Sequence, residues 1–505
     1  MTTPTLRTQV LVVGAGPTGA ILALELAHHG VPCLVVERAV TPPRHPGLDR
    51  LSAQAMDLLR RLGLADLIRK YATDPGEPAG VEWRTRLDDD PVLVAPRPAA
   101  GEPDTCIAAA DLSRRLRDEL RGHPLIELRE GWTFTGLRIE ADGAVASLLD
   151  IHGGTRHTVT ARHLVGCDGG QSTVRRCLEV PMENLGHPAA HCSVFFRSAD
   201  PRLPAGDRAR ATVVIGGVTT VTRGDGDGWV AHLPVRAEEP MGTDPVAMLR
   251  GRLGSGLDVL EVLGVAQWDD ALAVAAAYRR GPVFLAGEAA HPFHPSGELA
   301  DTSLADAVDL GWKLAAEING WAGPALLDSY ETERRPGALI DRELLARGLE
   351  TRRRFARLNT AGAAPELLAG LLRQEGHRAD AVGLPARHAT SAVVWHAGAP
   401  ARAAVRPGVR APDVRLDGGT ALADRFGPQL TLVDLTSDAA GAALAAAALG
   451  RGIPVAHLPV PDPAVRAAWD TPLALIRPDR HVAWCAAAAP HNWHAVLDLV
   501  SGQTT

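Results

Sequence analysis

The 505-residue chain is short of several things at once, and each shortage excludes a class of protein. No apolar stretch reaches the roughly 20 uncharged residues that a membrane-spanning helix needs. The start, Met1-Thr2-Thr3-Pro4, lacks the basic segment and apolar run of a secretory leader, so a cytoplasmic protein with no membrane contact is expected. The net charge of -7 is spread through mixed signs, without the like-charge blocks that would suit nucleic acid or an acidic membrane surface. The six cysteines, Cys33, Cys106, Cys167, Cys177, Cys192 and Cys485, are scattered with no CxxC pair and no His/Cys ligand spacing. Neither a disulfide scaffold nor a metal site is therefore expected. Tyrosine numbers three and lysine is almost missing while Ala and Arg abound, the pattern expected of codon bias in a GC-rich genome. What remains is a chain long enough for two or three domains, with a small hydrophobic molecule as partner and a monomer or homodimer as assembly.

What is present begins with Val10-Leu11-Val12-Val13-Gly14-Ala15-Gly16-Pro17-Thr18-Gly19, then an apolar helical stretch, then Leu34-Val35-Val36-Glu37-Arg38. Strand, glycine turn, helix and a second strand ending in an acid make a dinucleotide-binding unit. Gly14 permits the tight turn, Gly16 lets the backbone approach a pyrophosphate, and Gly19 lets the helix pack on the strand. The helix N-terminus then faces the phosphates with free N–H groups and partial positive charge. Glu37, about 20 residues on, can accept hydrogen bonds from a ribose diol.

Along the chain, residues 53–64 read as a helix ended by Gly63, with Met56, Leu58, Leu59 and Leu62 apolar. From about 80 to 157 short alternating runs suggest an inserted sheet, interrupted by a helix near 112–120. Two buried strands with glycine-rich exits, at 163–170 and 283–287, bracket further alternating strands at 192–274. The tail contains Leu430-Thr431-Leu432-Val433-Asp434, an Ala-rich helix at 439–450 and a strand pair at 473–478 and 481–485. The expected class is α/β: a Rossmann-like nucleotide domain in three sequence pieces (1–80, 161–185, 281–345), a mixed β-sheet substrate domain in two (81–160, 186–280), a helical linker (346–400) and a C-terminal unit (401–505).

With three pieces in this order the chain resembles the flavoprotein aromatic hydroxylases, FAD-dependent monooxygenases that include polyketide tailoring enzymes. The resemblance implies FAD as cofactor. It gives the ADP half to Gly14, Gly16, Thr18, Gly19, Glu37 and Arg38, with Arg44 either on a phosphate or solvated at the surface. The second piece, Cys167-Asp168-Gly169-Gly170-Gln171-Ser172-Thr173-Val174-Arg175, is similar to the family's loop near the flavin pyrophosphate and the nicotinamide route. Asp168 is its acid, unless it only forms the turn before glycine. The third, Gly287-Glu288-Ala289-Ala290-His291 with Pro295, is similar to the motif whose acid contacts the ribityl chain and whose following loop, through Asp301 and Thr302, meets the isoalloxazine. There His291 is either structural or a proton carrier, and His294 and Pro295 are candidates for the substrate side. The tail, through Arg410-Ala411-Pro412 and Ile476-Arg477-Pro478-Asp479-Arg480-His481-Val482-Ala483-Trp484, is similar to the thioredoxin-like domain of the larger tailoring hydroxylases, but no redox role is expected of it because Cys485 has no nearby partner.

The departures from the family pattern are concentrated at one end. Where hydroxylases carry Gly-x-Gly-x-Asn-x-Gly, this chain reads Gly297-Glu298-Leu299-Ala300-Asp301-Thr302-Ser303. Glu288 replaces aspartate, Gln54 and Gln171 replace arginines, and Ala109 stands at a glutamine position. If Glu298 and Asp301 point inward, they oppose the negative charge that reduced flavin acquires; otherwise both face water. Two enzyme readings follow, beside a third in which the chain is a flavin-containing chaperone or partner protein without chemistry. The leading one is a non-redox intramolecular [4+2] cyclase, resembling the flavoprotein decalin-forming cyclases, with FAD as a structural ligand. The other is an NAD(P)H- and oxygen-dependent monooxygenase acting on an aromatic or polyketide substrate.

Overall fold

The computed structural model describes residues 5–42, 48–72, 81–95, 105–186, 188–203, 212–222, 227–235, 243–293, 300–381, 388, 390–396, 404–416 and 419–503. The opening unit is as expected: β1 (Thr5–Val13), α1 (Pro17–His28) and β2 (Cys33–Glu37). Val10 to Val13 and Leu34 to Val36 are buried on both faces, which is why they read as unbroken apolar runs rather than alternating ones. Next come β3 (Leu48–Leu51), α2 (Ala53–Arg61), α3 (Ala65–Tyr71), β4 (Val81–Arg84), β5 (Leu93–Ala95), β6 (Thr105–Ala108) and α4 (Ala109–Gly122). Four strands follow, β7 (Ile126–Glu130), β8 (Trp132–Glu140), β9 (Gly143–Asp150) and β10 (Arg156–Gly166), and then the short α5 (Thr173–Cys177).

Here the structure departs from the expected division. β7 lies parallel to β2, and β10 lies parallel to β1 with β9 and β8 beyond it. The stretch 105–160 therefore belongs to the nucleotide domain, and within 81–160 only β4 and β5 join the substrate sheet. Alternation alone could not assign these strands, because it reports a half-buried strand and not the sheet that receives it.

The substrate sheet is completed by β12 (Ala190–Arg197), after the two-residue β11 (Met182–Glu183), and by β13 (Thr212–Ile215), β14 (Val218–Thr222) and β15 (Gly228–Pro234). After α6 (Pro245–Leu253), β16 (Glu261–Asp269) closes it in the order β16-β12-β15-β14-β13-β4-β5. One face is apolar: Val194, Phe196, Trp229 and Leu233 pack against Met248 and Leu249 of α6. The chain then returns through β17 (Val274–Ala275), β18 (Arg279–Arg280) and β19 (Val283–Leu285), the last parallel to β10.

Three helices link the domains: α7 (Ala300–Ile318), α8 (Pro324–Thr360) and α9 (Pro365–Ala381). α8 has 37 residues, about 55 Å at 1.5 Å per residue, and crosses much of the molecule. α7 serves two cores, with Leu304, Val308 and Leu314 in the nucleotide domain and Trp312 and Ala316 in the C-terminal one. That unit runs β20 (Leu430–Asp434), α10 (Ala442–Gly450), β21 (Val455–Pro459), α11 (Pro463–Trp469), β22 (Leu473–Ile476), β23 (Val482–Ala486) and α12 (Trp493–Val500), with sheet order β21-β20-β22-β23. This is a thioredoxin-like core. All six cysteines are free. No helix among the described residues is long and apolar enough to cross a membrane.

Candidate functional site

The three glycine-rich loops all leave the carboxyl ends of neighbouring strands, β1, β10 and β19, where ligands of open α/β sheets bind. Their close approach is visible atom by atom. Gly14 has φ +104, and a Cβ there would lie 2.4 Å from the Cys167 carbonyl oxygen, so the first loop rests on the second. Gly287 has φ +62, and a Cβ there would lie 2.5 Å from Thr18 Oγ1, so the third rests on the first. At Gly19 a Cβ would meet the Gly14 carbonyl oxygen at 2.0 Å, whereas at Gly16 it would meet nothing within 4 Å. Gly16 thus faces open space at the start of α1.

That helix end is open chemically as well. Neither a side chain nor a first-turn acid caps α1, so its leading N–H groups and their partial positive charge remain for an anion. Glu37 stands beside it, partly buried, with Oε2 accepting the Ala15 N–H at 2.8 Å and Oε1 the Ala39 N–H at 2.9 Å. Arg117 of α4, buried at 2 % exposure, braces the same turn: its Nε donates to Ala15 O at 3.2 Å and its Nη1 to Ala39 O at 3.0 Å. A lone arginine in a charged helix carried no motif by which to find it. Arg38 is exposed next to Glu37, and Arg44 lies outside the described residues.

Asp168 is differently employed. Its Oδ1 accepts the Ser172 hydroxyl at 2.5 Å and its Oδ2 the Thr173 and Val174 amides at 2.6 and 3.1 Å, so it closes the N-terminus of α5. Arg175 then clamps two loops together, donating to Ala289 O at 2.6 Å and Gly170 O at 2.8 Å. Glu288 is exposed to solvent yet closely surrounded, as a side chain is on the wall of a deep cleft. That crowding pushes its carboxyl up, against the pull of His291 and the Gly170 amide.

Behind Glu288 a buried network holds the third loop to α7 and α8. Asp306 Oδ2 accepts the Gly287 N–H at 3.0 Å and pairs with His291 Nε2 at 2.7 Å, and Asp306 Oδ1 accepts Arg334 Nε at 2.7 Å. Burial alone would raise the Asp306 carboxyl, but His291 and Arg334 outweigh it and hold it below the usual range. Arg334 also donates to Thr302 O, and the Thr302 hydroxyl donates to Asp341 Oδ2 at 2.6 Å. His291 and Thr302 are thus packed into the scaffold of the cleft. Asp301, on the first turn of α7, is half-buried. Its Oδ1 accepts the Ser52 N–H at 3.1 Å, tying α7 to the start of α2. Glu298, Leu299, His294 and Pro295 lie outside the described residues, as does Gly297.

One cavity adjoins this framework and another lies apart from it. The first, of about 720 Å³, lined by Gln54, Asp301, Thr302, Arg410 and Arg480 among others, opens between α2, α7 and the C-terminal unit. The larger hollow, about 1120 Å³, lies at the amino ends of the parallel strands beside Arg7, Glu127 and Arg162, away from the glycine loops. On the substrate sheet, the face away from α6 carries a polar line that sequence reading missed. Ser193 Oγ sits 2.7 Å from His232 Nδ1 and accepts Trp268 Nε1–H at 2.8 Å, and His191 pairs with Asp270 at 3.0 Å.

The open α1 terminus, the unobstructed Gly16 and the acceptor at Glu37 fit the adenosine diphosphate half of FAD, and Glu288 on the cleft wall fits its ribityl hydroxyls. Comparisons with known proteins agree. The family model for the FAD binding domain matches residues 7–339, and that for the aromatic-ring hydroxylase C-terminal domain matches residues 404–503. An FAD-dependent monooxygenase of Emericella nidulans, apdD, is 28% identical over 94% of this chain and 87% of its own. A dialkyldecalin synthase of Streptomyces rugosporus is 31% identical over 64% of this chain and 69% of its own. The rebeccamycin biosynthetic enzyme RebC, solved with reduced flavin, superposes with a TM-score of 0.86 at 28% identity, covering 99% of this chain and 100% of that one. The chain belongs to the FAD-binding aromatic-ring hydroxylase family, and it is an FAD-dependent enzyme of that fold.

Proposed function

We propose that this flavoprotein is a tailoring enzyme whose FAD is a structural ligand and whose cavity folds a hydrophobic polyene for an intramolecular [4+2] cyclisation to a decalin. The observation that carries this reading is the position of Asp301. A helix N-terminus supplies about half a positive charge, and in a hydroxylase of this family that end stabilises the negative charge of reduced flavin. Here a carboxylate occupies the first turn and accepts the Ser52 amide. The ADP end, by contrast, keeps its glycines and Glu37. Similarity to a dialkyldecalin synthase adds support.

A cyclisation of this kind forms two carbon–carbon bonds with no atom gained or lost and needs neither hydride nor oxygen. The chain's own contribution is to hold the reacting carbons at near-attack distance and to exclude water. The face of the substrate sheet bearing His191, Ser193, His232 and Trp268 offers aromatic surface with a few polar anchors, the composition of a ligand wall.

A second reading has its own support: apdD, alike over 94% of this chain, is an FAD-dependent monooxygenase. There, bound FAD would supply redox chemistry, with NAD(P)H as the reductant and oxygen as the oxidant. One experiment separates the readings. The FAD-loaded protein is mixed with NADPH, and then with NADH, with oxygen excluded, while flavin bleaching is followed by stopped flow and product from a polyene substrate is analysed in the same mixture. Cyclisation predicts slow bleaching and product without oxygen. Rapid bleaching with strictly oxygen-dependent product would replace it with the monooxygenase.

A further inference from the structure

At the junction of the nucleotide domain and the C-terminal unit lies a buried cluster that the proposed reaction does not use. Arg477 donates to Glu333, Asp309 and Asp479 at 2.6 to 2.9 Å, and Lys313 donates to Asp309 and Glu333. His388 and His481 lie against this group with ring centroids 3.9 Å apart. The side chain of His388 has no exposed surface, and neither of its ring nitrogens has a hydrogen-bond partner among the described residues. Its Nε2 is 3.5 Å from Asp479 Oδ2, and the equally unpartnered Nδ1 of His481 is 3.4 Å from Asp479 Oδ1. Buried polar groups normally find partners, and among the described residues these three nitrogens face only carboxylate oxygens at 3.4 to 3.9 Å.

We propose that His388, Asp479 and His481 bind a divalent transition-metal ion with the preferences of zinc, fastening the segment before the C-terminal domain to that domain. One ligand atom from each residue lies within 4.8 Å of the others. Tetrahedral zinc with bonds near 2.0–2.1 Å sets its ligand atoms about 3.3 Å apart, so a modest contraction completes three corners and leaves the fourth for water. Two imidazoles and one carboxylate suit zinc better than magnesium or calcium, which prefer oxygen.

Asp309 and Glu333 are engaged by Lys313, Arg477 and Ser391, and Asp479 by Arg477 and the His481 amide, so the two histidine rings are the candidate ligands and Asp479 is the carboxylate that faces them both. The expectation of no metal rested on local spacing, and His388 is far in sequence from its partners.

The test uses the full chain with FAD bound, produced in zinc-supplemented medium, passed over chelating resin and measured for metal by mass spectrometry. About one zinc per chain is expected, falling at least tenfold in His388→Phe and in His481→Asn, whose folding is checked by circular dichroism and flavin absorbance. Wild-type protein that emerges metal-free overturns the proposal, as does zinc retained by a folded variant. X-ray absorption of the wild type decides the matter even where neither variant folds: a shell with two imidazoles is required, and one without them overturns the site.

Discussion

Helices α1 and α5 begin at the carboxyl ends of two paired strands, β1 and β10, of the same parallel sheet, yet their N-termini are opposite in character. α1 has no cap, no acid in its first turn and open space at Gly16. α5 is closed by Asp168 and Ser172, which between them take up the Thr173, Val174 and Arg175 amides. A helix end can hold a ligand anion or satisfy itself with a side chain, but the same N–H groups cannot do both. α7 is a third case, because its first turn holds an acid that accepts the Ser52 amide of another segment.

Substitutions can break this contrast, and the largest effect is expected at Gly14. Gly14→Ala places a Cβ 2.4 Å from backbone at a φ that alanine resists, so we expect loss of roughly 3 kcal/mol or more. FAD retention should fall at least about 100-fold, read from flavin absorbance after gel filtration. Removing FAD from the wild type should also lower its melting temperature, as for any ligand bound only by the folded state.

Next in size is Asp301→Asn. Removing a unit charge roughly 6 to 15 Å from reduced flavin relieves about 1–3 kcal/mol at an effective dielectric near 20. The flavin should become about 5- to 100-fold easier to reduce in an anaerobic equilibrium titration, with anaerobic product formation unchanged. An unaltered titration would remove the support that Asp301 lends to the non-redox reading.

Glu37→Ala comes third, since it deletes the acceptor of the Ala15 and Ala39 amides and of a ribose. FAD affinity measured by fluorescence quenching should weaken about tenfold, the size of one charge-assisted hydrogen bond. Asp168→Ala sharpens the contrast from the closed side. As a cap its loss costs about 1–2 kcal/mol in urea unfolding with little change in FAD affinity; weakened affinity at constant stability would instead make Asp168 a cofactor contact. The smallest effect is Cys485→Ser. That thiol is buried, which pushes it up to about 11, and its contact with Val405 O is 3.7 Å, so product formation should be intact.

What could be read from sequence follows from how local each feature is. The β1–α1–β2 unit was legible because its turn, helix start and acid lie within one contiguous stretch and each glycine has a steric reason. The C-terminal unit was legible through its strand and helix periods. The role of Asp301 was not: its partner is the Ser52 amide, 249 residues away, and no period or spacing encodes that hydrogen bond. Arg117, Arg175, Asp306 and Arg334 were missed as site-builders for the same reason, since each acts through a backbone or side-chain partner in another segment.

The amino-acid sequence alone determined that this is an α/β flavoprotein of hydroxylase type, with its nucleotide domain in separate pieces. Glycines that only glycine can replace and apolar runs buried on both faces are imposed by local sterics and by burial. Tertiary structure alone decided that 105–160 joins the nucleotide sheet, that Asp168 closes a helix, that Asp301 is tied to α2, and that His388 meets Asp479 and His481. Those outcomes depend on which distant groups arrive at the same place, and a buried polar atom takes its partner from whatever packing brings within about 3 Å.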